Sequence, residues 1–258
     1  METVFSKSLD EFFTGIAELF HFTVSFFRYG IRPPYEFKEV LNQCYEIGIK
    51  SFVLISITAF ILGLVLLMQS RPTMVEFGAG AYLPAMSSIS IVREIGPLIT
   101  ALICAGKIGS GISAELGSMK VTEQIDAMEV SGTNPFKYLV ATRIVATTLM
   151  IPLLTIYADF ISLFGAFTAS NIKDTINLSF YFSRVFESLH YTDMLPSIAK
   201  TFFFGFTIGL VGCTKGYYSK KGTEGVGKAA NESVVVAMVG VIIIDMIAIQ
   251  ITSMLGYL

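Results

Sequence analysis

Residues 93–143 read REIGPLITALICAGKIGSGISAELGSMKVTEQIDAMEVSGTNPFKYLVATR, and their pattern indicates the architecture of the chain. Residues 95–114 are apolar or small, and Lys107 is the only charged residue among them. A dense polar block follows at residues 115–134, and a second apolar run begins at Ile144. A polar segment of this length between two apolar runs predicts that the chain leaves the bilayer, forms a short helix and returns.

The composition of the whole chain supports a membrane protein. Of its 258 residues, 53% are hydrophobic and 15% are charged, and the mean hydropathy is +0.67. These values lie outside the range of soluble domains. The net charge of −2 gives no electrostatic basis for binding nucleic acid. We therefore expect an all-α polytopic membrane protein.

The apolar runs predict five transmembrane helices within one membrane domain at residues 35–258. A short cytoplasmic helix is predicted at about residues 115–131, and residues 77–92 are expected to form an outer loop. The predicted spans lie at about residues 51–70, 88–114, 144–170, 196–214 and 233–257.

Residues 1–34 are predicted to form an interfacial amphipathic helix that ends at Pro33-Pro34. Acidic residues interrupt this segment, which excludes a cleavable signal peptide. One helical face is apolar, and the opposite face is polar and charged. The apolar face comprises Leu9, Phe12, Phe13, Ile16, Leu19, Phe20, Val24 and Phe27.

The distribution of Lys and Arg predicts the orientation. Residues 1–50, 107–143 and 215–232 hold 5, 4 and 4 basic residues, which sum to 13, against 5 elsewhere, Lys173 among them. The positive-inside rule places these three segments in the cytoplasm. With five spans, the N-terminus is then cytoplasmic and the C-terminus lies outside.

Small residues recur at every fourth position in the first apolar run, and two further Gly-x-x-x-Gly pairs lie near residue 210. This spacing lets another helix approach closely. Packing within one subunit and contact between subunits explain the pattern equally well. The residues predicted to pack in this way are Ala101, Ala105, Gly109, Ser113, Gly117, Gly205, Gly209, Gly212 and Gly216.

Several motifs resemble the signature of the MlaE-type permease family, whose members are membrane subunits of phospholipid ABC transporters. They are REIGP at residues 93–97, AELGSMKVTEQID at 114–126, Asn134-Pro135, and GVGKA at 225–229. The resemblance covers roughly residues 35–258. It implies a homodimer in the bacterial inner membrane that works with two ATPase subunits, which bind ATP and Mg²⁺. It further implies an MCE-domain lipid shuttle on the periplasmic side and, in some members, a STAS-domain protein on the inner side.

Arg93 and Glu94 are the candidate lipid-binding residues. Ionisable groups at membrane depth are costly unless they pair or face a polar ligand. Arginine suits a phosphate, and glutamate suits an amine or positions the arginine. From position alone, a simple interfacial anchor is equally consistent. The resemblance favours lipid binding, and it adds Pro97 from the same motif.

The cytoplasmic helix is the candidate contact with the ATPase. It combines acidic residues with apolar ones, which suits docking into a groove on a partner protein. A solvated turn would leave the apolar residues exposed. The resemblance implies that this is the coupling helix, with contact residues Glu115, Met119, Glu123, Gln124, Asp126 and Met128.

The sequence gives little indication of disulfides, metal binding or nucleotide binding. Cys44, Cys104 and Cys213 are isolated, so neither a disulfide framework nor a zinc site is expected. The segment GTEGVGKA at residues 222–229 is close to a P-loop, but Ala229 stands where the nucleotide motif needs Ser or Thr. We therefore expect no nucleotide or metal to bind this chain.

Asp159 and Asp245 lie inside predicted spans and leave an alternative function open. They could carry ions in a secondary transporter of an amphipathic substrate. Hydrogen bonding to a neighbouring helix is the simpler explanation, because no basic partner within the membrane is evident. A secondary transporter would also show inverted repeats, which the sequence lacks. An intramembrane enzyme would need a nucleophile beside a base, or a metal cluster, and neither is evident.

Overall fold

The computed structural model describes residues 2–30, 36–172, 177–220 and 222–255, and excludes the side chains of residues 2–12, 16 and 29. Every regular element in these ranges is helical, which confirms the all-α prediction. The helix end expected at Pro33-Pro34, the position of Lys173 and the last three residues lie outside the described part, as do the side chains of Leu9, Phe12 and Ile16.

The described residues form eight helices. The helix α1 (Glu2–Ser25) precedes five long helices that are apolar enough to cross a membrane. Two short helices, α4 and α6, lie between the spans at opposite ends of the bundle. The seven helices after α1 are, in chain order, α2 (Phe37–Glu76), α3 (Gly80–Val121), α4 (Gln124–Val130), α5 (Phe136–Asn171), α6 (Leu178–Ser188), α7 (Tyr191–Tyr217) and α8 (Thr223–Met254).

The expected outer loop at residues 77–92 is wrong over most of its length, since α3 already begins at Gly80. Pro84 lies in the first turn of the regular helix, where a missing N–H costs nothing. The hydroxyls of Ser87 and Ser88 donate to the carbonyls of Pro84 and Ala85, at 3.0 and 2.8 Å. The loop shrinks to a turn at Gly78, whose φ of +71° favours glycine.

The helix α5 is the most buried span, and α2 and α7 pack closely on it. Glycines permit this approach. A Cβ at Gly63 of α2 would overlap the carbonyl of Ser162, and one at Gly205 of α7 would lie 2.9 Å from Cα of Thr148. Backbone therefore contacts backbone at both crossings.

The small-residue stripe of α3 packs against α7 of the same chain. A Cβ on Gly212 would lie 3.0 Å from the carbonyl oxygen of Gly109, and one on Gly216 would lie 2.7 Å from that of Ser113. Ala105 and Ser113 are fully buried, and Gly117 faces the side chain of Ser219. These positions therefore make close contacts within one chain.

The C-terminal end of α1 docks onto the bundle. Phe22 is buried there, with its ring centroid 5.0 Å from that of Phe136 and 5.9 Å from that of Tyr218. Phe20 and Phe27, by contrast, remain exposed. The helix α1 is therefore anchored to the protein through Phe22, a residue outside the predicted apolar face.

The predicted helix at residues 115–131 is divided in two. The helix α3 continues to Val121, and α4 begins at Gln124 after Glu123, whose φ of 59° is left-handed. A left-handed residue cannot continue a right-handed helix, so the chain folds back here. Ile125 of α4 becomes completely buried as a result.

Candidate functional site

A widened turn of α3 presents the two candidate lipid-binding residues. Residues 91–95 form a π-helical turn, in which the amide of Gly96 donates to the carbonyl of Ile91. Pro97 follows and has no amide hydrogen to give to the carbonyl of Arg93, so a regular helical bond is impossible there. Single π-turns inside α-helices are frequent at functional sites.

Arg93 contacts an aspartate at the start of α7. Its Nε donates to Oδ1 of Asp193 at 2.7 Å, and its Nη2 pairs with the same oxygen. The other oxygen of Asp193 accepts the amide hydrogen of His190 at 2.9 Å, which caps α7. A helix terminus therefore fixes the carboxylate, and the carboxylate positions the guanidinium.

Glu94 contacts a lysine that joins two carboxylates. Nζ of Lys200 lies 2.6 Å from Oε2 of Glu94 and 2.8 Å from Oδ1 of Asp245 on α8. The side chain of Lys200 is 5% exposed and that of Asp245 is 8% exposed. The expectation that Asp245 has no basic partner within the membrane is therefore wrong, because Lys200 reaches it from a different helix.

Asp159 on α5 lies on the other side of the same turn. It contacts the backbone at Gly96, where no side chain larger than hydrogen would fit. Its Oδ1 is buried and has no hydrogen-bond partner among the described residues. Lys200 is close enough to act electrostatically on this carboxyl group.

The cluster borders a small cavity. Arg93, Glu94, Asp193 and Lys200 line it, together with residues of α8, and its volume is about 30 Å³. This space holds a water molecule or two but no lipid headgroup. Pro97 is buried and is not among the lining residues.

The charges around the cavity do not cancel. Counting Arg93 and Lys200 against Glu94, Asp193 and Asp245 gives two positive and three negative groups when all are ionised. Arg93 and Glu94 are the partly exposed members, with side-chain exposures of 30% and 39%. They are therefore the groups that a ligand entering the cavity could reach first.

Sequence reasoning did not assign a role to Asp193 or Lys200. Asp193 lies 100 residues after its partner Arg93, and Lys200 lies 106 residues after its partner Glu94. Both are ionisable residues at the end of an apolar span, which is the only signal the sequence offers.

The predicted coupling residues form the opposite end of the bundle. Glu123, Gln124 and Asp126 are exposed, and Asp126 pairs with Lys120 at 2.8 Å. Met119 and Met128 are only partly exposed, because they pack against the core. The argument that a solvated turn would leave the apolar residues exposed is wrong for Leu116 and Ile125, which are fully buried.

Glu115, the remaining predicted coupling residue, forms an ion pair with an arginine. Its Oε1 lies 2.9 Å from Nη2 of Arg143 on α5, whose side chain is 3% exposed. Glu115 itself remains 55% exposed. The ion pair between Glu115 and Arg143 thus links the surface at the α4 end of the bundle to its interior.

The P-loop-like segment has the wrong structural context for a nucleotide. A helix, α7, precedes it instead of a strand, and α8 begins directly after Gly222, whose φ is 99°. Within the described residues, no group of three or more His, Cys, Asp or Glu side chains could hold a metal ion.

In the described part of the chain, five helices are long and apolar enough to cross a membrane, and four of them carry the charged cluster, which defines a multi-pass membrane protein. The chain matches the family described as "Permease MlaE" over residues 40–251. It is 36% identical to a probable ABC transporter permease protein of Rickettsia typhi over 205 residues, which cover 80% of this chain and 79% of that protein. It is 30% identical to one of Synechocystis sp. over 236 residues, covering 92% and 90%. A third, from Pyropia yezoensis, is 34% identical over 212 residues, covering 81% and 79%.

This chain belongs to the MlaE permease family. It is the membrane subunit of an ABC transporter, a class in which a separate ATPase subunit supplies the energy.

Proposed function

We propose that this permease moves phospholipids between the bacterial inner membrane and a periplasmic MCE-type lipid shuttle. ATP and Mg²⁺ bind to the partner ATPase. The permease acts as a homodimer, and a STAS-domain protein is a further candidate partner on the cytoplasmic side. The observation that supports this most is the cluster around Arg93 and Glu94, which keeps partly exposed charges at membrane depth beside a cavity.

In this proposal, the headgroup exchanges partners with the cluster. Asp193 engages two nitrogens of Arg93, which leaves donors of the guanidinium for a phosphate. Glu94 can exchange Lys200 for a headgroup amine, since Asp245 retains the lysine. The cavity of about 30 Å³ has to widen for this exchange, and ATP-driven motion or a second subunit provides the means.

The substitution Arg93→Ala is expected to lower phospholipid occupancy about tenfold at matched protein level. Charged hydrogen bonds to phosphate contribute about 1.5–3 kcal/mol each, which corresponds to a tenfold loss or more. Arg93→Lys restores only part of the occupancy, because an ammonium lacks the bidentate fork. Glu94→Gln does less harm than Glu94→Lys, which places a cation beside Lys200. The measurement is lipid retained per purified dimer, by mass spectrometry.

Arg184→Ala is the matched control for Arg93→Ala. Arg184 is predicted to lie on the same side of the membrane and pairs with Glu187 at 3.1 Å, but both side chains are exposed. Its removal is expected to leave lipid occupancy unchanged. If folded, dimeric Arg93→Ala protein retains lipid like the parent, Arg93 is an anchor and the lipid site lies elsewhere.

Reversing the charge of Glu123 and Asp126 together is expected to weaken ATPase association about tenfold, or about 1.4 kcal/mol. Both side chains are exposed beside the turn that separates α3 from α4. Charges at the rim of an interface set register and exclude wrong partners. Co-purification of the ATPase and lipid-stimulated ATP hydrolysis measure the effect. The control is Glu187→Lys, an equally exposed carboxylate at the other end of the bundle. Unchanged co-purification and hydrolysis would reject the coupling role.

The proposed orientation places the N-terminus in the cytoplasm and the C-terminus in the periplasm. Thirteen of the 18 basic residues lie in segments assigned to one side. In spheroplasts, we expect a tag after Leu258 to be accessible to protease and a tag at the N-terminus to be protected. A protected C-terminal tag would contradict a five-span topology.

The ion-coupled alternative does not fit the family, whose transporters are driven by ATP hydrolysis in a separate subunit. Of the two carboxyl groups that it would use, Asp245 already pairs with Lys200, which leaves Asp159 alone to carry an ion. Lipid transfer that requires ATP and continues without a proton gradient would exclude it.

A further inference from the structure

A second cavity, of about 700 Å³, opens at the end of the bundle that carries α4. It lies between the first turns of α2, the later part of α3 and the start of α5. Lys107, on its wall, follows Arg93 by fourteen residues on α3, or about 21 Å at the rise of a helix. This cavity is therefore separate from the charged cluster and faces the opposite leaflet.

Two buried polar groups of the cavity wall lack hydrogen-bond partners among the described residues. Arg143 is 2% exposed; its Nη1 donates to the carbonyl of Leu139 at 2.9 Å and its Nη2 pairs with Glu115, but its Nε has no partner. Ser51 on α2 is also 2% exposed, and its Oγ has no partner. Buried polar groups in proteins are nearly always satisfied. Neither atom is accessible to solvent, so a ligand in the cavity reaches them only if neighbouring side chains move aside.

Three cations and three carboxylates line the cavity, and Lys107 is the one cation of the lining that pairs with none of these carboxylates in the described structure. Lys107 interrupts an apolar span and donates to the backbone carbonyl of Lys50. A lysine within a span marks a pathway or a ligand site by default. Lys107, Arg143 and the hydroxyl of Ser51 together offer the donors that a phosphate needs.

The rest of the wall suits an amphiphile. Glu39 and Glu46 stand at the side where α2 begins, where they could accept an ammonium group. Apolar residues of all three helices, including Ile47, Ile112 and Leu139, complete the lining and could contact an acyl chain. The volume lies within the range of small-molecule sites, about 300–1,000 Å³.

We propose that this cavity binds the phosphate headgroup of a phospholipid from the leaflet on the α4 side, with Lys107 and Arg143 as its ligands. Ser51 donates a further hydrogen bond, and the glutamates favour a zwitterionic headgroup. The site goes beyond the function proposed above, since it is a second lipid site in the other leaflet and does not depend on Arg93.

The test uses the full chain, purified with its ATPase subunit and carrying Arg93→Ala, so that the first site does not contribute. The probes are dihexanoyl phosphatidylethanolamine, dihexanoylglycerol and inorganic phosphate, each counted by native mass spectrometry. We expect the phospholipid to bind, the lipid without phosphate to bind at least about tenfold more weakly, and inorganic phosphate to compete poorly. Equal binding of phosphate alone, or of dihexanoylglycerol, would overturn the lipid-headgroup assignment.

Two variants locate the binding in this cavity. Lys107→Gln removes one charged donor and is expected to weaken phospholipid binding about tenfold. Gly111→Leu fills the cavity, because Gly111 lines it and a Cβ there meets no atom within 4 Å. Neither change disturbs the buried Arg143, so both proteins are expected to fold.

Matched controls are available on the same chain. Lys120→Gln removes a lysine that pairs with Asp126 outside the cavity, and Gly227→Leu adds the same bulk in open space on α8. Both are expected to bind phospholipid like the parent. If Gly111→Leu releases the ATPase but leaves phospholipid binding unchanged, the cavity is a protein contact and the proposal fails.

Discussion

The substitution Lys200→Met is expected to destabilise the permease by about 3–5 kcal/mol and to abolish lipid transport. Lys200 is the shared partner of Glu94 and Asp245, and removing it leaves a buried carboxylate without a counter-charge. Removing one member of a buried ion pair costs this much, mainly through the charge left behind. The free energy of unfolding in mixed micelles, together with the yield of folded dimer, measures the effect.

A second substitution separates the charge effect from a packing defect. Lys200→Met combined with Asp245→Asn removes the unpaired charge, so we expect it to recover most of the lost stability but not lipid transport. Lys228→Met is the control, because Lys228 lies 3.9 Å from Glu232 with 70% of its side chain exposed and should contribute little. A Lys200→Met protein as stable as the parent would contradict the ion-pair network.

The substitution Gly205→Ala is expected to destabilise the protein by about 3 kcal/mol. The new methyl group would lie 2.9 Å from Cα of Thr148 and would press on the carbonyl of Thr147, both backbone atoms of α5. Backbone atoms cannot move aside by changing rotamer, so α5 and α7 would have to separate.

The matched control for Gly205→Ala is Gly227→Ala, which should change stability in the opposite direction. Gly227 also lies within a helix, but a Cβ there meets nothing within 4 Å. Alanine in such a position stabilises a helix by about 0.5–1 kcal/mol relative to glycine. Thermal unfolding of the two variants in the same detergent compares them. If both were stabilised, the close crossing of α5 and α7 would be wrong.

The ends of the helices are the places where the local sequence pattern predicts the structure poorly. Residues 77–92 contain two glycines and a proline, which favour a loop, yet the chain is helical from Gly80. Pro84 falls in a first turn, and the serine hydroxyls satisfy nearby carbonyls. In the polar block, a single left-handed residue, Glu123, divides what the periodicity predicts as one helix.

The class of this protein follows from local features of its sequence. Long apolar runs, few charges and the motifs at residues 93–97 and 114–126 predicted an all-α membrane protein and its family, since hydropathy and motifs are local properties of the chain. They also predicted Arg93 and Glu94 as candidate lipid-binding residues, because charge in an apolar span is conspicuous.

The groups that these residues contact follow from the folded structure and not from any local pattern. Arg93 meets Asp193, and Lys200 joins Glu94 to Asp245 across three helices. The same holds for Ile125, which sequence leaves on a coupling surface and folding buries. Contacts between residues one hundred positions apart depend on how each helix is rotated and how closely it approaches its neighbours. Packing at glycines such as Gly63 and Gly205 sets both. A glycine has a hydrogen atom where other residues have a Cβ, so the backbone of a neighbouring helix can come into contact there.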